Sequence, residues 1–315
     1  MRVLAGKCLA SRVVLWRGPL GLRYIPLCAY SRRAEPRNVA IIAHVDHGKT
    51  SLVDCLLRQS GTLASTNRDT RVMDSNVLEK ERGITILAKC TSIASDKYRI
   101  NIVDTPGHAD FGGEVERALT MVDGVILVVD ATEGPMAQTK FVLTKALKRN
   151  LVPIVVQNKV DRDTARCDEV DCEVLDLFMS LNASERQLDY ATIYASARDG
   201  WALPHNPFSA TGGRRSGESV SGDMSCLFDA IMQRIPAPRV DPAGPFSLLV
   251  NSVESNQFVG KCLLGKIESG RIKIGDRIKS VTPEGQVAEE NRVTRMFVRR
   301  GVLQVLGKAV YSLKL

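Results

Sequence analysis

Three short strings carry residue types at spacings able to do chemistry on a nucleotide. The first is His44-Val45-Asp46-His47-Gly48-Lys49-Thr50-Ser51. Loop N–H groups and the positive end of the helix that follows can cradle a polyphosphate, Lys49 adds charge to its outer phosphates, and the Thr50 hydroxyl offers an oxygen to Mg²⁺. Ala43 stands where the usual G-x-x-x-x-G-K-[ST] spacing has its first glycine. The second string is Asp104-Thr105-Pro106-Gly107-His108. Asp104 supplies a second oxygen anchor for Mg²⁺, Gly107 lets the backbone approach a γ-phosphate closely, and His108 stands one residue on, able to orient water. The third is Asn158-Lys159-Val160-Asp161. Asp161 can accept from both N1–H and the exocyclic amine of guanine, two donors that adenine does not offer in that arrangement. Asn158 and Lys159 brace the base and the loop, and Ala195-Ser196-Ala197 adds backbone groups beside the guanine O6. Each string alone is an ordinary loop composition; their order along the chain gives them weight.

The elements between the strings place them. Val39-Ala40-Ile41-Ile42 reads as a buried strand feeding the first loop, and Leu52, Val53, Leu56 and Leu57 line one face of the helix after it. Residues 61–78 are polar and without a clear period, and they lead into the charged string 79–86. A loop at this place in a nucleotide switch carries a threonine that reaches Mg²⁺ only when a γ-phosphate is present, and Thr85 is the candidate. A strand over 98–103 delivers Asp104. The wholly apolar run 124–129 reads as a central parallel strand covered on both faces. A helix over 136–149, a strand over 151–156 and helices near 168–181 and 225–234 complete an α/β domain with a mostly parallel sheet.

The chain has 315 residues, 44% of them hydrophobic, enough for two domains. Its net charge of +8 is uneven. Residues 1–34 hold Arg2, Lys7, Arg12, Arg17, Arg23, Arg32 and Arg33 and no acid, so 36 basic residues face 35 acidic ones in the remainder. Such a leader resembles an organelle transit peptide, mitochondrial or plastid, with a disordered basic tail as the other reading. It has no uninterrupted apolar run long enough to span a membrane. The eight cysteines form no C-x-x-C pair and no zinc pattern. Residues 35–240 make the nucleotide domain, with a Gly/Ser/Arg-rich flexible insertion at 205–222. Pro236, Pro238, Pro242 and Pro245 form a stiff linker. Short β runs with interspersed glycines over 245–315 indicate a partial antiparallel β-barrel. That region carries twelve basic and six acidic residues, a balance consistent with an RNA surface.

With these residues in view, the sequence resembles the translational GTPases and, within them, the BipA/TypA family. The strings at 43–50 and 104–108 are shared across translational GTPases. Residues 71–76 and 78–89, Phe111-Gly112-Gly113-Glu114-Val115-Glu116-Arg117 and Gly134-Pro135-Met136 resemble BipA/TypA in particular. The resemblance runs from about residue 38 to about residue 298. It implies a P-loop GTPase that hydrolyses GTP with Mg²⁺ held by Thr50, Thr85 and Asp104, a hydrophobic gate of Val45 and Ile84, and His108 as the residue that orients water. The partners it implies are the ribosome and rRNA, in organellar translation, subunit assembly or stress adaptation, for a monomer with no DNA contact and no membrane insertion. Family members continue past the barrel, whereas the resemblance here fades near Gly301. A truncated GTP-binding module without productive ribosome coupling is therefore the alternative expectation. An ATPase is disfavoured by Asp161.

Base choice gives the first test. Asp161→Asn removes a charge-assisted hydrogen bond and should weaken GTP about ten- to a hundredfold, from roughly 1.5–3 kcal/mol. Xanthosine triphosphate, whose 2-carbonyl accepts from the new amide, should gain. Titration of both nucleotides decides it, and unchanged GTP affinity would remove Asp161 from the base site.

Overall fold

The computed structural model describes residues 2–5, 35–61, 88–94, 98–106, 112–208, 222–256, 260–282, 284–300, 303–306 and 309–311. They divide into two units, one of Pro36–Pro238 with Val298–Val305, the other of Met1–Glu35, Arg239–Phe297 and Leu306–Leu315. Strand β1 (Arg2–Ala5) belongs to the second unit.

The first unit is built on β2 (Arg37–Ala43), helix α1 (Lys49–Gln59), β3 (Lys89–Ala94), β4 (Arg99–Asp104), α2 (Gly112–Leu119), β5 (Gly124–Asp130), α3 (Ala137–Lys148) and β6 (Val152–Asn158). It continues with α4 (Cys167–Ser180), the short α5 (Glu185–Leu188), β7 (Ala191–Ser196), β8 (Trp201–Leu203) and α6 (Ser225–Arg234). The sheet order is β3-β4-β2-β5-β6-β7-β8. The five inner strands run parallel, and β3 and β8 lie antiparallel on the two edges.

Every residue of β5 is buried, as a strand covered on both faces requires. The side chains alternate between two layers. Val39, Ile41, Ile126, Val128, Ile154 and Val156 pack with Leu52, Val53, Leu56 and Leu57 of α1 and with Leu227, Phe228 and Ile231 of α6. Ala40, Ile42, Val125, Leu127, Val129 and Val155 pack with residues of α2, α3 and α4, Phe178 among them. Each fully buried Leu, Ile, Val or Phe contributes roughly 1.5–3 kcal/mol relative to exposure. Two such layers fix which way every strand faces, since a one-residue slip would turn each apolar side chain to the wrong layer.

This architecture agrees with the α/β reading of the sequence. Its parallel strands end on one edge of the sheet, so the loops after β2, β4, β5, β6 and β7 share that edge, where open α/β sheets bind ligands. Two strands of this sheet had not been anticipated. Lys89–Ala94 pairs with the outer side of β4 and Trp201–Leu203 with that of β7, and they become the sheet's two edges. Thr85, Gly107, His108, most of the leader and insertion residues 209–221 lie outside the described residues.

The second unit is antiparallel. With β9 (Ser247–Asn256), β10 (Gly260–Ser269), β11 (Arg271–Lys273), β12 (Arg277–Val281) and β13 (Val287–Arg292), it forms a sheet in the order β10-β9-β1-β12-β13. β1 fills the place between β9 and β12, with Arg2 opposite Leu249 on one side and Val281 on the other. A Cβ on Gly265 would stand 2.0 Å from the Leu249 carbonyl oxygen, so only glycine permits the close approach of β10 to β9 at that bulge. β11 also pairs with β16 (Ala309–Tyr311), whereas the short pair of β14 (Phe297–Arg300) with β15 (Leu303–Leu306) falls mostly within Val298–Val305, grouped with the first unit.

Candidate nucleotide-binding site

The loop from β2 to α1 turns on two residues in the left-handed region, Asp46 at φ 64° and Gly48 at φ 89°. Gly48 caps α1 with no side chain bonded to the helix N-terminus, and the first turn holds no acid. Neither the cap residue nor the first turn therefore offers a side chain that competes for the free N–H groups and positive dipole at this end. Lys49 and Thr50 open the helix; Thr50, His44 and Val45 are half-buried, and Asp46 and Ser51 are exposed.

Lys49 is 8% exposed and its Nζ stands 3.0 Å from Oδ1 of Asp104, itself 1% exposed. Lys49 also donates to the Thr105 carbonyl. The Thr105 hydroxyl in turn donates to the Ile41 carbonyl at 2.8 Å, fastening the end of β4 to β2. The two leading charges of the first and second strings thus meet in a buried place. The Asp104 carboxylate and the hydroxyl of Thr50, in the first turn of α1, are hard oxygens of the kind Mg²⁺ takes, usually one or two from protein with phosphate and water completing the shell. The set fits that ion.

On the base side, Asn158 is buried and acts as a clasp. Its Nδ2 donates to the His47 carbonyl at 2.9 Å, and its Oδ1 accepts from the Ala197 N–H at 3.0 Å. The phosphate loop, the Asn-Lys-x-Asp loop and the Ala-Ser-Ala loop are joined through one amide. Gly48 matters here too, because a Cβ on it would stand 2.3 Å from Asn158 Nδ2. Lys159, at φ 63°, donates from Nζ to the Asp46 carbonyl at 2.5 Å. Asp161 is half-exposed. Ser196 is fully buried and closes its own turn, its Oγ donating to Asp199 Oδ2 at 3.0 Å.

The structure redistributes three sequence assignments. His47, grouped with the phosphate-contacting residues, has a fully buried imidazole, which leaves only its backbone for a phosphate. Its Nδ1 accepts from the Asp130 N–H at 3.2 Å and its Nε2 lies 3.4 Å from Glu133 Oε2. The Ala197 N–H, expected beside guanine O6, is donated to Asn158. Asn158, expected to brace the base and the loop, spends both ends of its amide on the loops.

Sequence reasoning missed Asp130 and Glu133. The signal lay in the acid that ends the apolar run 124–129. Asp130 is completely buried, with Oδ1 accepting from the Thr132 N–H at 2.7 Å and Oδ2 lying 2.7 Å from Lys159 Nζ and 3.5 Å from Arg162 Nη1. Burial pushes its carboxyl up, but the Lys159 and Thr132 hydrogen bonds and the nearby charges of Lys159 and Arg162 outweigh burial and hold it below the usual value. Arg166 secures the next turn, donating to the Thr132 carbonyl at 2.9 Å and the Glu133 carbonyl at 3.2 Å.

Burial, followed by the charge of His44, lowers the His47 pKa from its ordinary 6.5, against the opposing pull of Asp130 and Glu133. The unfolded chain then binds a proton that the folded chain resists. Stability from this group is complete above the unfolded value and is lost as pH falls below it. The melting temperature should drop between about pH 7.5 and about pH 5.5, and less so in His47→Gln. Equal drops in both proteins would assign the pH dependence to another group.

Comparison with known proteins agrees with the geometry. The family model described as "Elongation factor Tu GTP binding domain" matches residues 34–237. The "Large ribosomal subunit assembly factor BipA" of Escherichia coli strain K12 is 54% identical over 252 residues, covering 79% of this chain and 40% of the relative. The protein of that name from Bacillus subtilis strain 168 is 49% identical over 274 residues, covering 87% and 43%. Among solved structures, a bacterial selenocysteine-specific elongation factor, EF-Sec, superposes with a TM-score of 0.62 at 24% identity, over 89% of this chain and 41% of that one. The chain spans about two fifths of the length of these curated relatives. It belongs to the elongation factor Tu GTP binding domain family, and its likeness within that family is to the BipA translational GTPases.

Proposed function

We propose that this chain binds GTP with Mg²⁺, hydrolyses it to GDP and phosphate, and does so as a translation factor on the ribosome. The observation that carries the enzymatic part is the junction of all three strings at one sheet edge: Lys49 on Asp104 at 3.0 Å, and Asn158 on His47 at 2.9 Å. In this reading Lys49 and the N-terminal N–H groups of α1 bind the phosphates, with the Gly107 backbone against the γ-phosphate. Thr50, Thr85 and Asp104 hold Mg²⁺, which would neutralise charge on the phosphate oxygens. Asp161 reads guanine, and His108 orients the attacking water. The ribosomal part is supported by the relatives, each named a large ribosomal subunit assembly factor. The partners are then the ribosome and its rRNA, met by a monomer that neither binds DNA nor enters a membrane.

His108→Ala should leave GTP affinity nearly intact while lowering ribosome-stimulated turnover by roughly 10²–10⁴. Turnover and binding measured side by side test both halves. Full stimulated turnover in the variant would show that another group positions the water.

The acid-free basic leader supports a mitochondrial location, with the plastid as alternative. Import should remove roughly the first thirty residues. N-terminal sequencing of the protein from purified organelles checks this, and a mature chain beginning at Met1 would contradict it.

A further inference from the structure

We propose that Asp130 is a positioning residue for nucleotide binding, acting through Lys159 to lock the base-reading loop onto the phosphate loop. Asp130 touches both loops by different atoms. Its backbone N–H reaches His47 of the phosphate loop, and its Oδ2 stands 2.7 Å from the ammonium of Lys159 in the base-reading loop. Lys159 spans to the other side, donating to the Asp46 carbonyl at 2.5 Å. The result is a closed circuit of Asp46, His47, Asp130 and Lys159.

Two features make the circuit more than an incidental ion pair. Asp130 is fully buried at the end of a strand whose other residues are apolar or glycine, and a lone buried carboxylate is costly unless an opposite charge and hydrogen bonds compensate it. Its closest cationic partner is Lys159, since Arg162 stands farther off at 3.5 Å with a side chain 48% exposed. Both ends of the Lys159 bridge are also left-handed, Lys159 at φ 63° and Asp46 at φ 64°, a conformation that costs non-glycine residues energy and persists where surrounding contacts impose it. Asp130 and the Asp46 carbonyl impose it by gripping the same ammonium. The side chain of Lys159 is thereby laid across the floor between the two loops, where a base and its ribose phosphate must both fit.

The proposal rests on the GTP-site reading, and the test separates the two. Asp130→Asn keeps the shape and removes the charge; Asp130→Ser, smaller and neutral, covers the case in which the amide disturbs folding. Nucleotide dissociation is read by fluorescence on loaded, folded protein isolated by gel filtration. Because the circuit serves the base side, GTP and GDP should both dissociate faster, with affinity falling on the order of ten- to a hundredfold for each. KM should rise by more than kcat falls. In a Lys159→Met background, the added Asp130→Asn change should have little further effect, since both changes break one connection. A purely structural role would instead lower the melting temperature while leaving the folded fraction with wild-type dissociation rates, or would add fully to the Lys159→Met loss. Either result overturns the proposal. If Lys159→Met itself binds GTP as the wild type does, the base-site reading fails instead.

Discussion

One side-chain amide holds the site together. Asn158 closes the end of β6, donates to the His47 carbonyl and accepts from the Ala197 N–H, so three loops from three strands share two hydrogen bonds. A buried amide so placed leaves no freedom for its neighbours. Gly48 must be glycine on both counts, because its φ is positive and because any Cβ there would run into the amide. The parallel sheet is what makes this economical: β2, β6 and β7 end on the same edge, with β5 between β2 and β6, so loops far apart in sequence arrive within one hydrogen bond of each other. Without the two apolar layers that fix the register of those strands, the amide would have nothing to join.

Around that clasp lies a second ring of polar contacts that faces the protein. His47, Asp130, Glu133, Arg166 and Lys159 connect the phosphate loop through the β5–α3 turn to the start of α4. Gly134 in that turn stands at φ 78°, a left-handed conformation that favours glycine. Within it the Asp130 carboxylate is matched by the Lys159 ammonium, and in a buried setting a missing partner costs more than the complete pair gains. Asp130, Glu133 and Arg166 thus hold the site from behind.

Much of this was legible in the sequence, and the limits have physical causes. The strand 124–129 and the helix 225–234 were readable because their apolar pattern reports burial directly. The strings at 44–51, 104–106 and 158–161, singled out for the donors that phosphate, Mg²⁺ and guanine demand, come together at one sheet edge. Edge strand β3, Lys89-Cys90-Thr91-Ser92-Ile93-Ala94, was not, since its mixed residues satisfy an edge without an alternation that stands out. β13 was missed for the same reason: all six of its residues are exposed. The inward roles of His47 and Asn158 were hidden differently. A motif names the residue types a ligand needs, and it does not say which of them spend their side chains on one another. Nor does composition reveal that Arg2–Ala5 of the basic leader pairs as a strand between β9 and β12, because pairing there is made by backbone.

Under the proposed GTP-site reading, the ion pair of Lys49 with Asp104 constrains how ligands would enter. Each group is buried, so neither can be left without an opposite charge at small cost. In the proposed GTP site, a move of Lys49 from Asp104 to polyphosphate oxygens would be offset by a divalent cation taking its place beside Asp104. Lysine and carboxylate would then exchange partners together, and the pair would close again on release. Thr105, hydrogen-bonded to the Ile41 carbonyl, keeps Asp104 at the end of β4 beside β2 throughout, so the exchange is one of charges within a fixed frame. In that reading, selection of the polyphosphate and of its cation would be a single act of charge balance, made by two buried side chains at 3.0 Å.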